Sequence, residues 1–297
     1  MRSQAFLVVG AFALNCLIWS STWMAIKIGL RQAPPMTTVG VRFAIAAALI
    51  SAVVALWRLD VPRSRAFVSL SVFLGVCHLA VPYTLVYWGE QHISSGLTAV
   101  LYSTMPFVVA LMARVILHDP LSLRKLSGIA AGIGGVCIIF SDSIGSGFEA
   151  RGMAAILVSV FFASLSSVFI KKHSAAYHPI VSLMIPFAVA AVLIGAFAAP
   201  IERSNPLRYG GVTWATILYL AVAGSFIAFA VFFWLVKRVD ITVVSYQTFV
   251  IPILALLWGW LFMGETVSPR TGLGSAVILV GIAIATLGTH RRVGSGG

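Results

Sequence analysis

Val39-Gly-Val-Arg-Phe-Ala-Ile-Ala-Ala-Ala-Leu-Ile-Ser-Ala-Val-Val-Ala-Leu-Trp57 contains a single ionisable side chain, Arg42. As an α-helix at about 1.5 Å per residue, the stretch is nearly as long as the ~30 Å hydrocarbon core of a bilayer is thick. Ala5–Met24 and Ser275–Thr289 have the same character. The 297-residue chain is 60% hydrophobic and 9% charged, with a mean hydropathy of +1.02. A soluble domain carries about 25% charged residues, so this composition cannot clothe a soluble surface. The pattern predicts an all-α integral membrane protein with ten spans, near 5–28, 36–57, 67–88, 96–117, 124–141, 152–170, 179–199, 213–236, 241–263 and 271–289. At about 20 residues per span, what remains is two tails and short loops, with no room for a soluble catalytic domain.

The net charge of +12 admits a nucleic-acid reading, but its distribution follows membrane topology. With the N-terminus inside, Arg2, Arg58, Arg63, Arg65, Arg124, Lys125, Lys171, Lys172, Lys237, Arg238, Arg291 and Arg292 fall on the inner side. Lys27, Arg31, Arg151, Arg203, Arg208 and Arg270 fall on the outer side. Both termini are therefore expected in the cytoplasm, and no nucleic-acid partner is expected. Cys16, Cys77 and Cys137 lie within spans without metal or CxxC spacing and read as packing residues. The first apolar stretch is too long for a signal peptide and lacks a small-x-small cleavage site. The closing Gly-Ser-Gly-Gly has the composition of a cloning scar and is given no function.

Residues 88–135 align on 234–281 at a constant offset of 146. Trp88 meets Trp234, Pro106 meets Pro252, Arg124 meets Arg270, Gly128 meets Gly274, Gly135 meets Gly281, and Asp119 faces Glu265. Upstream, Lys27 pairs with Lys171 and Pro35 with Pro179. The chain thus reads as two five-helix repeats, 1–141 and 152–290, joined by a periplasmic linker at 142–151 and followed by a cytoplasmic tail at 291–297. An odd number of spans per repeat forces the second to enter the membrane from the opposite side. Inverted repeats of this kind build alternating-access transporters around a midplane site.

The residues also resemble a known superfamily. Trp19-Ser-Ser-Thr-Trp23 followed by Lys27, then Arg42-Phe43, is similar to the first two helices of the drug/metabolite transporter superfamily. Tyr87-Trp88, Ser103-Thr104-Met105-Pro106 and Gly264-Glu265 continue the likeness through its EamA-type, ten-helix branch. Within that branch the chain is most similar to the YddG amino-acid exporters. His118-Asp119 departs from the family's Gly-Glu, which stands intact at Gly264-Glu265, so the loop contacts of the two repeats are expected to differ.

Every acid, Glu90 included, falls in or at the edge of an expected loop, which argues against proton coupling through a midplane carboxylate. The ionisable groups left inside are basic. His78 lies about 16 Å into the third span, either hydrogen-bonded between helices or lining a cavity. Arg42 has a structural reading, tied to a carbonyl or a loop acid, beside a functional one. Pro82, Pro106 and Pro252 read as hinges or as tolerated kinks, and Pro186 is a fourth proline within a span. Trp19, Tyr83, Tyr102 and Tyr246 are deep polar aromatics, which either face another helix or line an amphipathic cavity.

The resemblance and these residues together predict a monomeric exporter in the bacterial inner membrane. It would move amino acids, aromatic or other large neutral ones, and related small metabolites, by alternating access and without ion coupling. Substrate binding is expected at Trp19, His78, Tyr83, Tyr102 and Tyr246, with no catalytic residue, metal or cofactor. The alternatives are a sugar-phosphate or nucleotide-sugar antiporter, which would want more buried cations, and a membrane-embedded enzyme, for which no HxxxH, DxxD or GxSxG pattern appears.

Overall fold

The computed structural model describes residues 2–142, 147–173, 177–236, 238–239 and 241–286. Ten helices among them are long and apolar enough to cross a membrane: α1 (Phe6–Gly29), α2 (Pro35–Leu56), α3 (Arg65–Glu90), α4 (Ser95–Ile116), α5 (Leu123–Ser141), α6 (Gly147–His173), α7 (Val181–Glu202), α8 (Gly211–Val236), α9 (Val243–Met263) and α10 (Pro269–Thr286). Because short turns join them, they alternate in direction. Gly29, Glu90, Glu202 and Met263 share one end of the bundle with the starts of α2, α4, α8 and α10. This is called the Lys27 end below, and the opposite one the Lys171 end.

Local chemistry sets where the helices begin. Pro35 occupies the first helical position of α2, where its missing N–H costs nothing. Ser64 caps α3 and Ser94 caps α4 through their side-chain oxygens. Two carboxylates from distant parts of the chain complete the caps. Glu202 accepts from the Met36 and Thr37 amides at 2.8 and 2.6 Å. Glu265 accepts from the Ser95 and Gly96 amides at 2.8 and 3.2 Å. Acids at helix N-termini satisfy orphan donors and complement the helix dipole.

The packing of the ten helices has a twofold logic. α2 lies against α7, α5 against α10 and α4 against α9, each helix on its own repeat partner. Other contacts come in matched pairs: α3 with α6 mirrors α8 with α1, and α1 with α9 mirrors α6 with α4. The α5–α10 crossing is made by the four glycines matched in the sequence, but each packs on the opposite member. Gly135 sits on the Gly274 carbonyl and Gly128 on that of Gly281. A Cβ on Gly135 would lie 2.6 Å from the Gly274 oxygen, so only glycine permits this approach. Gly132 instead receives the ring of Phe107 from α4.

The third helix of each repeat is not regular. α3 contains a π-helical segment at Gly75–Ala80, and α8 contains one at Leu220–Ile227. Adding 146 to the first range places it inside the second. Pro82, next to the first segment, has no N–H for the His78 carbonyl, and the π turn is the local response. In α8 there is no proline. There the Ser225 hydroxyl donates to the Leu220 carbonyl at 3.0 Å, supplying a side-chain partner inside the wider turn. α4 and α9 also break, at Ser103–Thr104 and at Tyr246.

The expected spans agree with these helices to within about five residues. The sixth begins earlier than expected: α6 starts at Gly147, inside the expected 142–151 linker, with Glu149 in its first turn. Residues 287–289 of the expected tenth span, the 291–297 tail, Lys237, Arg291 and Arg292 lie outside the described residues.

Replacing Gly135 by Leu should lower the thermal midpoint of the detergent-solubilised protein, by an amount equivalent to about 1–3 kcal/mol of overpacking. The same substitution at Gly134, which has open space around it, should leave the midpoint nearly unchanged.

Candidate functional site

The mixed polar and aromatic stripe of α1 faces protein along its length. Asn15 is fully buried and donates from Nδ2 to Gln247 Oε1 at 3.0 Å, joining α1 to α9. One turn on, Trp19 packs against Phe229 and Phe232 of α8 at 5.7 and 5.4 Å between ring centroids. Thr22 lies against Gly224 in the second π segment. Trp23 meets Tyr102 of α4 at 5.3 Å. Phe229 reaches Phe187, Phe187 reaches Phe43, and Phe43 reaches Tyr83, so one chain of aromatic contacts crosses α1, α8, α7, α2 and α3. These rings dominate the middle of the bundle and offer apolar walls with polar tips.

Arg42 lies at the end of that chain. It is buried, with its guanidinium carbon 5.1 Å from the Tyr83 ring centroid and 5.5 Å from that of Phe43. Its Nε donates to Ser225 Oγ and one Nη to Tyr87 Oη, both at 3.2 Å. The expected tie to a carbonyl or loop acid is therefore replaced by two hydroxyls and two aromatic faces. The second π segment explains the geometry, since it turns Ser225 towards α2. A guanidinium can be held this way because it is weakly hydrated, stacks on rings and has a planar fork of donors.

His78 sits within the first π segment, half-buried, with Nδ1 2.7 Å from Ser166 Oγ of α6. The single proton of the Ser166 hydroxyl already goes to the Ala163 carbonyl at 2.7 Å. Nδ1–H must then be the donor to Ser166, and Nε2 carries no hydrogen bond among the described residues. Of the five expected binding residues, Tyr83 is joined to Arg42, Tyr102 to Trp23 and Trp19 to the α8 rings. His78 is held by α6. Among the described residues Tyr246 has no ring contact or hydrogen bond with the other four; it stands at the break in α9, next to the buried Gln247. Pro82 and Pro106 each open a helical segment directly after an irregular one, whereas Pro252 lies inside a continuous helix. An apolar groove of about 460 Å³ lies elsewhere, between the Lys171-end portions of α1 and α8, lined by Phe6, Leu7, Gly10, Ala230, Val231 and Trp234.

Matched parts are assembled differently at the two ends. Gly264 takes the left-handed conformation at φ +66°, and His118, its repeat partner, takes it at φ +59° despite its side chain. The amides that follow close equivalent turns, Glu265 N to the Gly259 carbonyl and Asp119 N to that of Ala113. At the Lys27 end, Lys27 donates to the backbone carbonyls of Glu90 and Ile93, and Glu265 caps α4 alongside. At the other end, Lys171 donates to Asp119 at 2.7 Å, and the two side chains are 63% and 40% exposed. The Lys27 end is thus closed by tight packing, with Gly89 on Ile156, Gly96 on Leu256 and Gly29 on Thr216. At the Lys171 end the matched lysine and acid form an exposed ion pair instead.

The Lys171 ammonium, by its hydrogen bond, holds the Asp119 carboxyl below the ordinary carboxylate value. What the pair contributes is therefore fully present above that ordinary value and lost as pH falls through the lower one in the folded protein. A carbon-13 titration of the carboxyl should give Asp119 a lower midpoint in the wild type than in Lys171→Gln. Equal midpoints would mean that the pair does not hold in solution.

Comparison with known proteins agrees with this architecture. The EamA-like transporter family matches the chain twice, over residues 6–141 and 150–287, one match for each set of five helices. An uncharacterized transporter, YoaV of Bacillus subtilis (strain 168), is 26% identical over 93% of this chain and 95% of its own. An uncharacterized inner membrane transporter, YedA of Escherichia coli (strain K12), is 29% identical over 98% of this chain and 94% of its own. A solved crystal structure with 19% identity superposes with a TM-score of 0.66, covering 97% of this chain and 98% of that one. With ten spans in two five-helix repeats and a family match covering nearly all of both, the chain belongs to the EamA-like transporter family.

Proposed function

We propose that this transporter exports amino acids with aromatic or other large neutral side chains across the bacterial inner membrane, as a monomer working by alternating access. The observation that carries the reading is the set of half-buried polar aromatics in the bundle, Trp19 and Tyr83 at the ends of the ring chain that reaches Arg42 and the Trp23–Tyr102 pair beside it. Tyr83, Tyr102, Trp19 and Trp23 suit a large apolar side chain, while Arg42 and His78 Nε2 suit a carboxylate. A sugar phosphate would need several uncommitted cations, and Arg42 already spends Nε and one Nη on Ser225 and Tyr87. The excess of Lys and Arg on the Lys171 side orients that end to the cytoplasm and the Lys27 end to the periplasm.

In this reading the two five-helix repeats, 1–141 and 152–290, rock about the central aromatics. The π segments of α3 and α8 and the breaks in α4 and α9 are where the helices bend. With the Lys27 end closed, this reading takes the structure as its inward-facing state. The substrate moves down its own gradient, and no catalytic group or cofactor takes part.

The test is counterflow in proteoliposomes preloaded with unlabelled amino acids, following uptake of trace labelled tryptophan, phenylalanine and leucine. Saturable counterflow is expected for at least one of them, and its absence for all would remove the substrate assignment. His78→Ala and Tyr102→Ala should each reduce counterflow roughly tenfold, the effect of about 1.4 kcal/mol, while eluting as folded protein. Wild-type counterflow in both variants would refute the site.

A further inference from the structure

Glu90, the last residue of α3, is completely buried, and neither of its carboxylate oxygens has a hydrogen-bond partner. The sequence placed it at the edge of a loop; the fold places it under the closed Lys27 end. The charged groups facing it are committed elsewhere. Lys27, from α1, gives its ammonium to the main-chain carbonyls of Glu90 and Ile93 rather than to the carboxylate. Arg42, from α2, is bonded to Ser225 and to Tyr87, the latter one turn back on α3. Glu265, after α9, is itself acidic and is filled by Ser95 and Gly96. From α4 come the buried Ser95 and Thr98, and from α6 Gly152 and Ile156 pack on Gly89; none of these titrates. His92, just beyond Glu90, stacks on Trp88 and Phe148, and Arg151 of α6 lies over the same Phe148.

A buried carboxylate without donors has a high energy, whereas the neutral acid loses only a hydroxyl's hydration. We infer that Glu90 is a proton-binding site linked to closure of the Lys27 end, which closes over the carboxylic acid and reopens with the carboxylate. One proton is taken from the medium on that side as the end closes and returned to it on opening. By linkage, acid on that side holds the end shut and alkali favours its opening. Lys27 is the latch of the same movement, since its ammonium, on α1, reaches the Glu90 and Ile93 carbonyls at the end of α3 only while the two helices are together. This deepens the transport reading, from which it takes the periplasmic assignment of the Lys27 end and nothing else.

The test uses the full chain in lipid nanodiscs and needs no substrate. Infrared spectra at neutral pH should show a carboxylic-acid C=O band that disappears in Glu90→Gln and shifts in Glu90→Asp. Identical spectra in all three proteins would overturn the proposal. Glu90→Gln mimics the neutral acid and is expected to fold; should it not, the band shift in Glu90→Asp decides. Nitroxides at Gln91 and Arg208, both exposed at the Lys27 end, report its opening. Raising the pH should add a longer distance in the wild type and none in Glu90→Gln, and the same pH response in both would again refute it. Failure of amino-acid counterflow would remove the substrate assignment and leave both of these measurements standing.

Discussion

A peptide group stripped of its hydrogen bond inside hydrocarbon costs several kcal/mol, and that constraint decides where this bundle can bend. Six helices are continuous. The other four loosen: α3 and α4 beside Pro82 and Pro106, α8 where Ser225 supplies a partner, and α9 at Tyr246. The π turn of α3 accommodates Pro82, and that of α8 is held by the Ser225 hydroxyl on the Leu220 carbonyl. Both lie in the interior, packed on α6 and α7 in one repeat and on α1 and α2 in the other. Placing the irregular turns there also places side chains of the proposed site, since His78 is carried by the first and Ser225, the partner of Arg42, by the second.

Rigid and adaptable contacts are divided accordingly. α5 and α10 cross through Gly128, Gly135, Gly274 and Gly281, a backbone-to-backbone seam with no side chain free to adjust. Away from that seam and from the glycine contacts that close the Lys27 end, α1, α3, α4, α6, α8 and α9 meet through aromatic rings and single hydrogen bonds, such as Trp258 to Ser20 and Ser21 to Tyr219. At one end Lys27 of the first repeat and Glu265 of the second are half-buried and bonded to the α3–α4 turn, while at the other their counterparts, Lys171 of the second repeat and Asp119 of the first, form an exposed pair. Two copies of one design held in different arrangements are what an inverted-repeat transporter requires, because exchanging the two arrangements moves the opening from one side to the other.

The sequence made most of the fold legible, because spans are read from length and apolarity alone, and the repeat from Pro106, Gly128, Gly135 and their partners. The site was legible only in part. His78, Trp19, Tyr83 and Tyr102 announced themselves as polar or aromatic residues at depth. Ser225 and Gln247 did not, since a serine or an amide in a span carries no signal until its partner is known. Glu90 stands at the edge of a loop, as expected, but its burial was not legible, because only the packing of α1, α2, α4 and α6 around it turns a helix end into an interior. Pro252 shows the converse, a residue matched to Pro106 by spacing that sits in an unbroken helix. The π segments were invisible to apolar periodicity, which cannot distinguish a wider turn in a uniformly apolar span.

The central claim is that the Lys27 end must open for transport. A Cβ on Gly29 of α1 would lie 3.7 Å from Cβ of Thr216 on α8, close to the ~3.8 Å mean of a disulfide. In a background lacking Cys16, Cys77 and Cys137, the pair Gly29→Cys and Thr216→Cys should form a bond between the two repeats. The account predicts that the oxidised protein, reconstituted with an amino acid that shows counterflow, is arrested and that a reductant restores it. Undiminished counterflow with the bond fully formed would contradict it.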